Sequence, residues 1–542
     1  MCGIWTLINK NSNEDVKKYL ADYWNLMHRG PDNSQLHAFN NTYVGFHRLS
    51  IMDNSYNSNQ PYIFQHNNKM IVFICNGEIY NFRELDTKYN LNIGSSDCKV
   101  IPTLYMKLGK IHWLELFKNE IKGEFAFIML EFDNLSNLLY YYVGRDMIGV
   151  RPLYCVEMNY DIDMYSSELK GMLSYENKVS EFTPGTIRCV QVNPSYVNSA
   201  YLTTFDFTTI YDTVINDLSE NNNLLCIKNS VINSVKRRLY SDRPIAFLLS
   251  GGVDSSLVAA LSMKILGYPI HTFCCGMKNS TDMLHAKMVA EHIGSIHTEV
   301  YFTEEEGLEL IDDVIRTTET WDTTTIRASI GQYIVSRYIK NNTDFRVVLV
   351  GEGPDEVCSS YLFNYYAPNA TELHKAALQY VKEIHMYDGK RADRCIARWG
   401  MEARIPLLDP EFITTYWGID PKYRLPTYNM EKYLLRKAFD NDNLLPNKVL
   451  WRKKEAFSDG VSGIERSWFS VIQEYTSKKM LNIVNPFTLS DEASYYKLQF
   501  RKYFGNNRDD IIPHYWQPKW DKDGNEITSY VDPSARTLAI YS

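Results

Sequence analysis

The segment that most constrains this chain runs from Ile245 to Cys275. Ile245, Ala246 and Phe247 form a short apolar run that breaks into Leu248-Leu249-Ser250-Gly251-Gly252-Val253-Asp254-Ser255-Ser256. Leu257, Leu261 and Ile265 recur at helical spacing as far as Gly267, and a second apolar run spans Ile270 to Cys275. Strand, Gly-rich turn, helix and strand make a βαβ unit, which predicts a parallel sheet.

Adjacent glycines let backbone close on an anion, and the first free N–H groups of the following helix point at it with the positive end of the dipole behind them. Ser250, Ser255 and Ser256 add hydroxyl donors, and Asp254 can hold a cation between phosphates. A bare Gly-Gly pair after a strand is most often an ordinary turn, but the full string is more specific. It resembles the SGG-x-DS pyrophosphate loop of ATP pyrophosphatases, which split ATP to AMP and pyrophosphate while adenylating an acid. It differs from the GKS/GKT phosphate loop of kinases.

At 542 residues the chain is too long for one core, so two domains are expected. A net charge of -8 leaves no basic surplus for a nucleic-acid partner. No apolar run approaches the roughly 20 residues of a membrane span, and no charged-then-apolar leader opens the chain, so a soluble, cytoplasmic protein with no membrane partner is expected. The ten cysteines lack CxxC pairs and nearby histidines at zinc spacing, which predicts free thiols and no structural metal. Asn54 to Gln60 and Asn221 to Asn223 read as Asn-rich loops, a compositional bias without functional content.

The chain opens Met1-Cys2-Gly3-Ile4. Once Met1 is removed, Cys2 carries a thiol and a free α-amine, whose reference pKa of about 7.7–8.0 suits it to be the base for its own thiol. Downstream come His28-Arg29-Gly30-Pro31-Asp32, His47-Arg48-Leu49-Ser50-Ile51, Asn76-Gly77-Glu78-Ile79-Tyr80-Asn81, Ser96-Asp97 and Gly144-Arg145-Asp146. Together they resemble the glutamine amidotransferases with an N-terminal cysteine nucleophile, of the Ntn-hydrolase fold. That resemblance implies an αββα sandwich of two antiparallel sheets between helix layers. Met70 to Cys75 and Phe125 to Leu130 read as buried strands, and Val16, Tyr19, Tyr23, Leu26 and Met27 as one helix face.

Thiol attack on a glutamine amide creates an oxyanion, for which the Asn76 amide and the Gly77 N–H are suited donors. Asn-Gly is also a common hairpin dipeptide, and a turn here is the expected means of aiming the amide. Arg48 offers a planar fork for the α-carboxylate of glutamine, and Asp97, with Glu78, a partner for its ammonium. The amidotransferase pattern continues through Ser167-Glu168 and Phe182-Thr183-Pro184-Gly185, and the polar stretch Thr203 to Asn223 reads as the linker.

Beyond the phosphate loop, the β-branched run Phe345 to Val350 ends at Gly351-Glu352-Gly353-Pro354-Asp355-Glu356. Ligands sit beyond the carboxyl ends of parallel strands, so this acidic turn is expected to face the same crevice as Ser250. Further strings follow: Thr323-Thr324-Thr325-Ile326-Arg327, His385-Met386-Tyr387-Asp388, Glu402 to Asp409, Trp451 to Gly460, and Asp532-Pro533-Ser534-Ala535-Arg536. The whole order resembles class B, glutamine-hydrolysing asparagine synthetase, nearly end to end.

The resemblance implies an amidotransferase domain over 2–205 and an ATP-pyrophosphatase synthetase domain over 206–542. It implies catalysis by Cys2, Asn76, Gly77 and Glu352, and glutamine binding by Arg48, Leu49, Ser50, Ile51, Met52, Asn76, Gly77, Glu78 and Asp97. It implies ATP contacts at Leu248, Ser250, Gly251, Gly252, Asp254, Ser255, Cys275, Val350, Gly351 and Lys454, with Mg²⁺ at Asp254 and Asp355. Asp322 and Arg327 are the expected aspartate ligands, and the assembly expected is a homodimer.

Three departures stand out. Val350 and Pro354 each replace a usual serine, and Cys358-Ser359-Ser360 stands where an aromatic and two glycines are common, which predicts a stiffer loop. Two competing readings remain: a β-lactam-synthetase-type enzyme acting on another acid, which the presence of Cys2 disfavours, and a catalytically weakened binding or regulatory homologue, which the departures motivate.

Overall fold

The structure, a computed structural model, describes residues 1–9, 16–156, 162–192, 200–426, 430–454, 460–462 and 466–533. Glu455 to Asp459 and Ser534 to Arg536, parts of two strings singled out above, lie outside the described residues.

The first half holds two six-stranded sheets. One runs Val179–Glu181, Tyr154–Val156, Ile162–Ser166, Gly3–Asn9, Thr42–Arg48, Asn33–Phe39; the other runs Ala200–Asp206, Thr186–Val192, Leu138–Arg145, Gly123–Phe132, Lys69–Ile79, Tyr62–His66. Every pairing in both is antiparallel. Ile4, Val44 and Phe46 of one sheet meet Val72, Ile74, Ala126 and Ile128 of the other in a buried layer. On the outer faces, Trp5 packs on Tyr23 and Phe127 on Trp113 and Phe117, so helices cover both sheets and an αββα sandwich results. Because both faces of each sheet are buried, Met70 to Cys75 reads as a continuous apolar run in place of an alternating one.

Two expectations need correction here. Asn76 and Gly77 form no hairpin turn: they continue the strand Lys69–Ile79 opposite Ala126 and Phe125. The long partner strand keeps pairing past them, and Gly77 is used for close approach, since a Cβ there would lie 2.4 Å from the Glu124 carbonyl oxygen. Met27 does not share the buried face of Tyr19, Tyr23 and Leu26; it is 52% exposed. The α-helix Lys17–Tyr23 passes into a 3₁₀ helix over Trp24–Arg29, whose tighter repeat turns Met27 outward.

The second half carries one parallel sheet, ordered Ile296–Tyr301, His271–Gly276, Ile245–Leu248, Val347–Leu349, Glu402–Arg404. The helix Val253–Leu266 ends at Gly267 in the left-handed region, φ 72°, as the sequence predicts. Strand order reverses direction between Ile245–Leu248 and Val347–Leu349, and such a switch point opens a crevice at the strands' carboxyl ends. The phosphate-loop candidate and the acidic turn are therefore neighbours.

The polar stretch Thr203 to Asn223 is not one linker. Residues 203–206 complete the strand Ala200–Asp206, and Asn221 to Asn223, expected as a loop, enter the first turn of the helix Glu220–Arg238, where Ser219 accepts from the Asn222 N–H at 3.4 Å. Cross-strand pairing and the serine cap outweigh local polarity.

The edge strand Glu402–Arg404 of the second half is covered by the first half. Arg404 lies 3.3 Å from Glu78, Arg151 donates to the Ala403 carbonyl at 2.9 Å, and the terminal amine donates to the Met401 carbonyl at 3.1 Å. Around them, Arg29 grips Asp393 at 2.8 and 3.0 Å and Glu168 at 2.5 Å, while Arg238 bridges Glu124 at 2.8 Å and Asp409 at 2.7 Å. These charges are buried and paired, the condition under which buried ions are tolerated.

Candidate active sites

Cys2 precedes the central strand Gly3–Asn9, and its Sγ accepts from the Leu49 N–H at 3.4 Å. Burial pushes the thiol up to about 11 and the terminal amine down to about 5. A thiol so disfavoured as thiolate needs a base at hand to act as a nucleophile.

Across the buried layer, in the strand Lys69–Ile79, Asn76 is 1% exposed and neither its amide nitrogen nor its oxygen has a hydrogen-bond partner among the described residues. Leaving a buried amide unmet costs about 1–3 kcal/mol per group, so such an amide is poised for a ligand that brings the missing partner. The strand Gly3–Asn9 that follows Cys2 packs on the strand that carries Asn76.

Arg48 is buried, and its guanidinium donates to the Ser55 carbonyl at 2.8 Å, to Asn59 Oδ1 at 2.6 Å and to the Asp53 carbonyl. It thus ties down the loop over 53–59. The Ser50 N–H donates to Asp32 Oδ2 at 2.7 Å and its carbonyl accepts from Arg243 Nε at 2.9 Å, while Leu49, Ile51 and Met52 are buried beside them. Asp97 Oδ2 accepts from the Ile79 N–H at 2.8 Å, and burial pushes its carboxyl up to about 6. Burial drives Glu78 well above the ordinary carboxylate range, against the pull of Arg404.

The second site is the crevice at the sheet's switch point. Leu248, Ser250, Gly252, Asp254, Ser255, Cys275, Gly351, Glu352, Asp355 and Lys454 line it together. Gly252 caps the helix Val253–Leu266 with no side-chain bond, leaving first-turn N–H groups open to an anion. Gly251, at φ 73°, would place a Cβ 2.5 Å from the Ala286 nitrogen, and Gly351 a Cβ 2.5 Å from that of Ser255, so the first loop packs on the helix Thr281–Ile293, and the second on the start of the helix Val253–Leu266, only as glycines. Val350 is buried behind the lining, with its N–H on the Arg404 carbonyl at 3.1 Å. Ser256, expected as a donor, is fully buried and outside the lining.

The three acidic residues of the turn part company. Glu352 Oε1 accepts from Gln332 at 3.0 Å and Arg391 at 3.1 Å, and burial raises its pKa against the opposing guanidinium. Asp355 is held by Lys432 at 2.6 Å and by Lys454, which keep it well below the usual carboxylate range against the effect of burial. Glu356 turns inward to the Tyr361 hydroxyl at 2.5 Å, and burial pushes it up to about 8. Asp254 also pairs with Lys432, and its buried Oδ1 has no partner among the described residues.

Asp322 and Arg327 do not line this crevice. Asp322 caps the helix Thr323–Asn342, accepting from the Thr325 N–H at 2.8 Å and the Trp516 N–H at 2.7 Å; Arg327 is gripped by Glu492 at 2.8 and 2.6 Å and by Asp532 at 2.9 Å. The lining instead includes Gln332, Asp388, Arg391, Lys432 and Arg452, to which sequence reading assigned no role. Only Asp388 and Arg452 lay in strings singled out; Lys432 comes from a segment without a recognisable turn or glycine signature, and Arg391 stands two residues past Asp388-Gly389.

Of the departures, Pro354 sits at the first position of the helix Pro354–Val357, where no N–H is needed. Ser359 is left-handed at φ 54°, and the Ser360 hydroxyl donates to Asp355, so this loop is tied to the crevice.

The described residues contain no group of three or more His, Cys, Asp or Glu side chains arranged to hold a metal, and no helix among them is long and apolar enough to cross a membrane. The glutamine amidotransferase domain model matches residues 1–204, and the asparagine synthase model matches 227–373 and 365–523. The chain is 37% identical to asparagine synthetase [glutamine-hydrolyzing] of Gallus gallus over 577 aligned residues, covering 100% of this chain and 99% of that one. The Homo sapiens and Mus musculus proteins of the same name each match at 36% identity with the same coverage. With a glutamine amidotransferase domain and an asparagine synthase domain matched in one chain, and likeness over its full length, this protein belongs to the family of glutamine-hydrolysing asparagine synthetases.

Proposed function

We propose that this chain makes L-asparagine from L-aspartate, ATP and glutamine. Cys2 attacks the side-chain amide of glutamine, with Asn76 and Gly77 meeting the oxyanion and Arg48, Glu78 and Asp97 around the amino-acid end. The tetrahedral adduct collapses with protonation and expulsion of ammonia, leaving a γ-glutamyl thioester on Cys2, and water then cleaves the thioester to release glutamate and restore the thiol. In the crevice the aspartate β-carboxylate attacks the α-phosphorus of ATP, expelling pyrophosphate; ammonia attacks the β-aspartyl-AMP carbonyl, expelling AMP. Glu352 is the acid/base group beside the reacting carbonyl. The division of labour falls near residue 205, at the end of the last sandwich strand.

Mg²⁺ fits the crevice. Asp254 and Asp355 converge on one cation, Asp254 Oδ1 lacks a partner among the described residues, and hard carboxylate oxygens suit an ion shared with phosphates. When bound it would neutralise the departing pyrophosphate, with Lys454 beside it. A cytoplasmic location accords with the ten free cysteines, and a homodimer with the family resemblance.

One observation carries the coupling of the two halves. Glu78, beside Asn76-Gly77, pairs with Arg404, whose strand is paired with Val347–Leu349, the strand that leads into Glu352. The two sites are thus one strand pair apart, and ammonia passed internally escapes protonation in bulk water. The test is product analysis with glutamine labelled at its side-chain nitrogen, in a large excess of unlabelled ammonium. Label retained in asparagine is the expected result; asparagine carrying only the solution nitrogen overturns internal transfer, and no asparagine overturns the reading altogether.

A further inference from the structure

The crevice carries its own cation. Lys432 is 5% exposed, and its ammonium sits between Asp254 and Asp355, touching the first and lying 2.6 Å from the second. Those carboxylates come from the first turns of the helices that follow the strands Ile245–Leu248 and Val347–Leu349, so a single side chain bridges the two sides of the switch point. Lys432 is left-handed at φ 56°, a conformation unfavourable for any residue that carries a Cβ. With Lys454 on Asp355, two carboxylates meet two ammoniums and the set is neutral. A divalent ion entering alone would meet two cations and no unmatched negative charge, whereas one arriving with a triphosphate brings the anion that the ammoniums can turn to.

We infer that Lys432 is a resident counter-ion that bars free divalent metal from Asp254 and Asp355 until nucleotide phosphate draws it away. This rests on the proposed binding of metal and ATP in the crevice.

The test is Mn²⁺ binding, followed by electron paramagnetic resonance and by thermal shift, with and without a non-hydrolysable ATP analogue. The wild type should take up Mn²⁺ at this site only with the analogue. Lys432→Gln, which leaves two carboxylates and one ammonium, should bind Mn²⁺ alone about tenfold or more tighter than the wild type and gain thermal stability from it. Equal nucleotide-free binding by the two proteins overturns the inference while leaving the crevice reading intact. If Asp254→Asn and Asp355→Asn keep the wild-type uptake of Mn²⁺ with the analogue, the crevice reading itself falls, and the inference with it. Should Lys432→Gln not fold, Lys432→Arg decides, because it keeps the charge and its planar fork grips carboxylates more firmly. Its Mn²⁺ uptake with the analogue should weaken about tenfold, and unchanged uptake overturns the inference.

Discussion

Arg391 Nη1 lies 3.1 Å from Glu352 Oε1 and also donates to Gln332 Oε1 at 2.9 Å, while Gln332 Nε2 donates to the same Glu352 oxygen at 3.0 Å. Guanidinium and amide thus hold one carboxylate at the carboxyl end of the sheet, and each also holds the other. Glu352→Ala should lower aspartate-dependent release of AMP and pyrophosphate by roughly 10²–10⁴-fold, the range for a lost acid/base group, while glutamine hydrolysis survives. Loss of both activities together would show that Glu352 supports the fold instead.

Cys2→Ala removes the only nucleophile proposed for the first half. Glutamine-dependent synthesis should vanish and ammonia-dependent synthesis persist near the wild-type rate, measured as asparagine formed from each donor.

Asn76→Ala takes away one oxyanion donor, which typically costs about 10²–10³ in kcat. Because the Asn76 amide has no partner among the described residues, the substitution should leave the thermal midpoint almost unchanged. A large loss of stability with little loss of glutaminase would assign Asn76 to the core.

The pH dependence of glutamine use should trace to Asp97. Burial raises its carboxyl from 3.8 to about 6, so it carries the charge needed to hold an ammonium only above that value. The KM for glutamine should climb as pH falls through about 6, and Asp97→Asn should show a high KM without that rise. The stability effect has the opposite sense. The native state keeps a proton that the unfolded chain loses, so Asp97 favours folding at low pH and that contribution declines as pH rises from 3.8 to about 6.

Arg29→Ala strips Asp393 and Glu168 of their shared guanidinium inside the contact between the halves. Removing one partner of a buried ion pair costs about 3–5 kcal/mol, so the thermal midpoint should fall and limited proteolysis should cut within residues 207–219. An unchanged midpoint would show that His28, Lys170 and Arg394 fully compensate.

Much of the molecule was legible in the chain because its signals are local. The run Ile245 to Cys275 encodes strand, loop, helix and strand within about thirty residues, where each contact lies near in sequence, and it folds as read. Met70 to Cys75 and Phe125 to Leu130 were recognisable as strands because apolar runs of that length bury in a sandwich. What local pattern could not supply was the identity of partners far along the chain. Asn76-Gly77 looks like a turn until Ala126 and Phe125 continue the ladder beside it, and Asn221 to Asn223 looks like a loop until Ser219 caps a helix there. Arg327 and Asp322 carry the charges an amino-acid ligand needs, yet Glu492, Asp532 and the Trp516 N–H engage them from residues 492–532. Lys432 has no motif around it, and the string ending at Asp388 gave Arg391 beside it no role; both gain their places because strand order brings the loops after Leu248 and Leu349 to one crevice, and charge complementarity draws basic side chains into it.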